Sequence, residues 1–288
     1  MIHQIRHPET RNTKHETPNT KHQTQLIVKL FDSHCHLDDT AYRNDLDAVL
    51  DRARTAGVDK IMTIGVTRRT SRIGVGIAES RDGVYATVGI HPHDAKEGSE
   101  KSVDDLRRLA EHPKVKAWGE VGLDFNRMFS SREDQEKWLI RQLEVSETLD
   151  LPLVFHERDS NGRFVEILRE RFRPGRKGVV HCFSGTRKEL ETYLRIGLSI
   201  GITGIVTVQG RGAPLRDLVP FIPLDRLLIE TDGPYLVPVP QRNKFRCNEP
   251  AFVRSVLLKL ADIRGETPEE LARATYENAC RVYSINCS

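Results

Sequence analysis

The sequence predicts an α/β protein built as a TIM-like (β/α)8 barrel with a disordered N-terminal extension. Three observations predict it: eight short apolar blocks rich in Val, Ile and Leu, amphipathic segments between most of them, and a polar repeat ahead of the first block. The 288 residues, 38% hydrophobic and 30% charged, suit a soluble globular chain with one large core.

The extension comes first. NTKHETP at Asn12–Pro18 is followed at once by NTKHQTQ at Asn19–Gln25, with no apolar residue to form a coiled-coil seam. Such a segment cannot bury enough surface to offset its ordering entropy, so residues 1–25 are expected to be a disordered leader. Translation is expected to begin near Val28 or Lys29, with the repeat as upstream sequence, which an intact mass would test. The leader holds Arg6, Arg11, Lys14 and Lys21 against Glu9 and Glu16, so it carries most of the formal charge of +3. The remainder is almost neutral. Net charge therefore does not by itself point to nucleic acid.

Ile27–Phe31 reads as the first strand, apolar on both faces as barrel strands are. Leu46, Val49, Leu50 and Ala53 share one face of a helix closed by Gly57. Lys60–Gly65 and Tyr85–Ile90 are the second and third strands, and Ser102-Val-Asp-Asp105 opens a helix running to about Glu111. Val115–Trp118 is the fourth strand. Residues 132–149 form a long amphipathic helix that stops before Leu151-Pro152, where the fifth strand, Leu151–Phe155, begins. Gly178–Val180 is the sixth. Thr186-Arg-Lys-Glu189 makes a capping box, with Leu190, Tyr193 and Leu194 on the apolar face behind it. Leu198–Ile202 and Leu227–Ile229 complete the strands, and Thr267-Pro-Glu-Glu270 places Pro at the first position of a closing helix. A doubly wound open sheet would show a glycine-rich phosphate loop after its first strand, and none is present. No linker divides 26–288, which reads as a single domain.

Other classes fall away quickly. No apolar run approaches the ~18 residues of a membrane span; the most apolar stretch, Ile196–Val208, is interrupted by Gly, Ser and Thr. No signal peptide is visible. Cys35, Cys182, Cys247, Cys280 and Cys287 form an unpatterned odd set without C-x-x-C, which argues for a reducing, cytoplasmic setting.

The chemistry lies at the strand ends. The blocks run out into Asp32-Ser-His34-Cys-His36, His91-Pro-His93-Asp94, Gly119-Glu120-Val-Gly-Leu-Asp124, His156-Glu-Arg158-Asp159, His181-Cys-Phe183 and Glu230-Thr-Asp232. In a barrel these ends open on one C-terminal face, where active sites of this architecture lie. Outside the leader, only His112 stands apart, at a helix end. A lone His-x-His is weak evidence. Four imidazoles (His34, His36, His156, His181) with Glu120 and Asp232 exceed what one tetrahedral ion needs and suit two divalent ions sharing a carboxylate. The mixed N/O set leaves Zn, Mn and Mg open.

DSHCHLD, GIHPHD, GEVGLDFNR, HERD, HCFSG, ETDGPYL and RCNEP occur in this order between Phe31 and Tyr283. Their sequence and spacing resemble the TatD family of metal-dependent deoxyribonucleases. The resemblance implies a barrel of the metal-dependent hydrolase type, with Mg the favoured ion. It also implies 3′–5′ exonuclease action on single-stranded DNA or RNA, in DNA repair or nucleic-acid turnover. Carried over by position, His34, His36, Glu120 and Asp232 would hold one ion, and Glu120, His156 and His181 the other. This chain keeps both first-strand histidines, which some relatives lack, while Gly233 stands where Ala or Ser is common.

Asp232 is the candidate proton acceptor, with Glu120 also catalytic. Arg158 would fork onto phosphate if a salt bridge to Glu157 or Asp159 does not hold it. His91 and His93 would bind the scissile phosphate or donate hydrogen bonds to the ligands. Arg68, Arg69, Arg127, Arg187, Arg211, Arg242, Lys244 and Arg246, with Phe129, Phe183, Tyr235 and Phe245 for stacking, would line the groove. Glu249 is expected to cap a helix or steady Arg246. The expected partner is therefore a nucleic-acid strand, with no membrane and no obligatory protein partner. The rival is an amidohydrolase-type enzyme acting on an ester, a lactone or an aminoacyl-tRNA. Many of those carry a carbamylated lysine where Glu120 stands, which favours the nuclease. A zinc-binding module without catalysis would be closed and Cys-rich, unlike this set.

Overall fold

The computed structural model describes residues 28–287. The leader therefore lies outside the described residues. In chain order the elements are β1 Leu30–Cys35, α1 Leu46–Thr55, β2 Val58–Thr63, α2 Arg68–Glu79, β3 Val84–Val88, α3 Glu100–Leu109, β4 Val115–Asp124 and α4 Arg132–Thr148. They continue with β5 Leu153–Arg158, α5 Arg163–Arg171, β6 Gly178–Val180, α6 Arg187–Arg195, β7 Ser199–Ile202, α7 Ala213–Leu218, β8 Leu227–Ile229, α8 Val253–Arg264 and α9 Pro268–Val282. The strands pair in parallel in the order β1 to β8. The seam is drawn together at the top, where His36 N donates to Gly233 O at 2.7 Å and Asp232 N to His34 O at 2.9 Å. The predicted (β/α)8 barrel is the observed architecture.

Apolar side chains fill two layers. Phe31, Met62, Ala117, Val154, Val179 and Leu228 point into the barrel, while a larger cluster packs the strands against the outer helices. The lower end of the barrel is closed by α9, whose Tyr276, Ala279 and Cys280 join the inner cluster together with Tyr283. Lys60, at this same end, donates to Tyr276 Oη at 2.6 Å and to Asp59 at 2.8 Å. With α9 plugging the lower end, the barrel interior opens at its upper mouth.

Three strands run further than their apolar residues predict. β1 starts at Leu30, past the expected Ile27, and continues to Cys35; β4 continues from Trp118 to Asp124, and β5 from Phe155 to Arg158. Most of the residues added to β1 and β4 are polar yet buried, with Asp32, Ser33, His34, Glu120 and Asp124 all at most 2% exposed, while β5 ends in the exposed Arg158. Hydropathy ends where the site begins, but the hydrogen-bonded ladder does not.

The capping box at Thr186/Glu189 is formed as predicted, and Pro268 opens α9 as expected, where Thr267/Glu270 adds a second box. A third, Thr67/Thr70, opens α2. At α3 the cap is Ser99, which accepts from Ser102 N at 3.1 Å, so that helix starts earlier than the Ser102 motif suggests.

Two glycines admit the site to its place. Gly122 has φ +153, and a Cβ there would lie 1.7 Å from His156 O across the β4–β5 pair; a Cβ on Gly89 would meet the Gly119 backbone at 2.9 Å. Both therefore let backbones approach beside Glu120 and His156.

Candidate metal centre and nucleic-acid groove

A cavity of about 720 Å³ opens at the upper mouth, lined among others by His36, His91, His93, Glu120, His156, Arg158, His181 and Asp232. His34 lies directly beneath, fully buried, its ring stacked on that of His181 with 3.3 Å between centroids. All nine site residues expected from the sequence thus converge on one mouth.

Two carboxylates organise the imidazoles. Glu120 Oε1 lies 2.9 Å from His156 Nδ1 and 3.5 Å from His91 Nε2, while its Oε2 faces His34 Nε2 at 3.4 Å. Asp232 Oδ1 faces three Nε2 atoms, those of His36 at 3.3 Å, His181 at 3.6 Å and His34 at 3.7 Å. The first carboxylate reaches both sides of the centre with separate oxygens; the second collects three rings on one oxygen.

The rings differ in what they can offer. His91 Nδ1 accepts from His93 N at 3.0 Å, so a neutral His91 carries its proton on Nε2 and donates toward Glu120. Burial pushes its pKa down to about 4, which keeps it neutral. It therefore stands as a donor toward Glu120. Burial opposes charge on His156 as well, but hydrogen bonds to Asp124 and Glu120 outweigh it and lift that ring to about 9. For His181 burial is likewise overcome, by the charges of Glu230, Asp232 and Glu120, up to about 10. Glu120 is held well below the usual carboxylate range: burial opposes its charge, and the surrounding rings of His91, His34 and His156 outweigh that.

These features fit a divalent cation. Both ring nitrogens of His34 are buried without a hydrogen-bond partner, although carboxylates stand 3.4 and 3.7 Å from Nε2. A buried imidazole left so is costly unless something supplies positive charge between it and the acids. Ligand atoms of His34, His36 and Glu120 lie within 4.8 Å of one another, as do those of His181, Cys182 and Asp232 and those of His91, His93 and His156. Carboxylate oxygens and imidazole nitrogens are the donors of Zn, Mn and Mg sites.

Two carboxylates were not singled out from the sequence. Asp124 accepts from His93 Nε2 at 2.7 Å and contacts His156 Nε2 at 3.2 Å; Glu230, fully buried, contacts His181 Nδ1 at 2.8 Å and accepts from Cys182 N at 3.0 Å. The signal available was their position, each at a strand end beside a predicted ligand. Asp32 accepts from Thr231 N at 2.8 Å and Thr231 Oγ1 at 2.5 Å, tying β1 to the segment that carries Asp232.

At the rim, Arg158 is half-exposed and lines the cavity, with a long ion pair to Asp159 at 4.0 Å, the alternative partner weighed from the sequence. Several groove residues expected from the sequence are otherwise engaged. Arg68 pairs with Asp105, Arg187 pairs with Glu191 and lies 3.4 Å over the Phe221 ring, and Phe183 is buried. Phe129 and Tyr235 are more than half exposed and line the mouth as expected. Glu249 steadies neither Arg246 nor a helix cap; it takes a bidentate pair from Arg52, which lies on α1 and reaches it across the loop.

A sequence model of the family described as TatD related DNase matches residues 31–284. A protein of Pantoea vagans named 3′-5′ ssDNA/RNA exonuclease TatD is 43% identical over 89% of this chain and all of its own length. The protein of that name from Erwinia billingiae is 42% identical over 89% of this chain and 99% of its own. Among solved structures, the TatD homologue YJJV of Escherichia coli superposes with a TM-score of 0.83 at 30% identity, covering 91% of this chain and all of that one. A TatD family hydrolase of Entamoeba histolytica gives 0.79 at 28% identity, covering 88% of this chain and 98% of that one.

Proposed function

This chain belongs to the family of TatD-related DNases, and from that premise we propose that it is a divalent-metal-dependent exonuclease shortening single-stranded DNA, and RNA, from the 3′ end. The observation that carries the reading is Glu120, whose two oxygens face imidazoles on opposite sides of the centre while Asp232 gathers three more contacts beside it. That arrangement suits two ions, His34, His36, Glu120 and Asp232 holding one and Glu120, His156 and His181 the other. Mg is the favoured metal, and the cytoplasm the favoured compartment. No described helix is long and apolar enough to cross a membrane.

Divalent ions bound there would acidify a water and neutralise charge building on the phosphodiester oxygens. The protein's own groups account for the rest. Asp232, at the mouth and partly open to it, accepts the proton of the attacking water. As the water oxygen bonds to phosphorus one ester P–O bond breaks, and the leaving oxygen takes up a proton from solvent. Arg158 forks onto the non-bridging oxygens as the charge grows. His91, neutral and donating through Nε2, holds Glu120 in register, and His93, anchored on Asp124, lines the entry.

The direct test is a 5′-labelled single-stranded oligonucleotide incubated with Mg²⁺, Mn²⁺ or Zn²⁺, with and without EDTA. Shortening from the 3′ end should vanish in EDTA and in Glu120→Ala. Equal degradation by wild type and Glu120→Ala would refute the site.

A further inference from the structure

A second cavity, of about 260 Å³, adjoins the metal centre and shares Arg211 and Leu236 with its lining. Its two sides differ chemically. Ile205, Val208 and Val237 give it an apolar floor, while Arg211, Arg242 and Arg246 stand around it. Among the described residues none of these three arginines has an ion-pair or hydrogen-bond partner for its guanidinium, and all three are exposed. Phe245, about half exposed, stands on the same rim.

An apolar floor beneath unpaired guanidiniums matches one ligand class, a planar base carrying a phosphate. The charge pattern of the main mouth points the same way. Asp38, Asp39 and Asp94 line it on the side of β1 and β3, whereas Arg127, Arg158 and Arg211 follow β4, β5 and β7. A polyanion leaving the centre is repelled by the first side and drawn toward the second, where the small cavity lies.

The geometry points to this cavity as a second nucleotide subsite, holding a base and a phosphate of the strand whose scissile bond lies at the metal centre. The subsite rests on the nuclease reading and adds to it a chain-length requirement. Substrates long enough to fill both cavities are bound through Arg242 and Arg246, and the shortest ones are not.

The test uses single-stranded oligothymidylates from the dinucleotide to the octanucleotide on the full chain. For wild type KM should fall about tenfold or more along the series, the scale of one added base and phosphate contact. In Arg242→Ala/Arg246→Ala the series should flatten, the change residing in KM, with the salt dependence of affinity shallower by about 0.7 for each phosphate that the variant no longer neutralises. Arg169→Ala/Arg195→Ala, on the outer helices α5 and α6, is the charge-matched control and should keep the wild-type length dependence. A double variant that also keeps it overturns the subsite. So does thymidine 5′-monophosphate displacing the octanucleotide at equal nucleotide concentration, which would assign the cavity to the free nucleotide. Anisotropy of fluorescein-labelled strands on EDTA-treated protein repeats the series without cleavage. That arm decides the subsite even if wild type shortens no strand, a result that would instead refute the nuclease reading.

Discussion

Glu230 stands 2.8 Å from His181 Nδ1 at the centre of the barrel, with no exposure of its own. The contact fixes which nitrogen of His181 is occupied and leaves Nε2 turned toward Asp232. Partners of this kind set both the orientation and the basicity of a ligating ring. Glu230→Gln keeps the shape and removes the charge, so metal affinity should weaken about 10–100-fold. Titration of metal into chelator-treated protein, followed by melting temperature, measures it; unchanged affinity would separate Glu230 from the centre.

His34 supplies a thermodynamic prediction. Its unpartnered nitrogens make it a liability without metal, so His34→Ala should alter the metal-free melting temperature little. Saturating metal should raise the wild-type midpoint, since a ligand at 100 times its Kd adds about 2.7 kcal/mol to folding. In the variant most of that rise should be missing. An equal rise in both proteins would remove His34 from the ligand set.

Asp232→Asn retains an oxygen at the same place but loses the proton acceptor. At saturating metal kcat should fall by about 10²–10⁴, with the KM for a long oligonucleotide nearly unchanged. A fall confined to KM would make Asp232 a binding residue only.

Gly122→Ala should fail on backbone grounds. The added methyl would sit 1.7 Å from His156 O, a distance that demands movement of β4 against β5. Destabilisation of at least about 3 kcal/mol is expected, at the severe end for single substitutions, visible in urea unfolding without any metal. A variant as stable as wild type would contradict the packing described.

The lower end offers a control far from the chemistry. Tyr276→Phe removes the hydroxyl that Lys60 and Asp59 share, and should cost about 1–2 kcal/mol of stability. Metal affinity and kcat should stay at wild-type values.

The strand blocks and the capping box at Thr186 are legible because apolar side chains and local hydrogen bonds announce them within a few residues. The ligands are legible because histidines are few and recur at strand ends. Asp124 and Glu230 are acids among 41, and what sets them apart is a partner on another strand: His93 and His156 for the first, His181 for the second. Pairing across the barrel has no signature in local sequence. The same is true of Glu249, whose partner Arg52 is 197 residues away, and of Phe183, whose burial depends on Tyr193 packing edge-on against it. The helix opening at Ser99 escaped for a smaller reason, since two serines three residues apart can both cap and only the backbone chooses between them.

The β1–β8 seam has a consequence for biosynthesis. Asp32 and Thr231, the pair that fastens it, are 199 residues apart, and His34 and His36 cannot meet Asp232 until both are in place. A ribosome-bound chain carries its first-strand histidines through most of its own synthesis with no acidic partner at the seam. The centre can therefore close only after Thr231 and Asp232 have joined β1, so its assembly is a late, long-range event in folding.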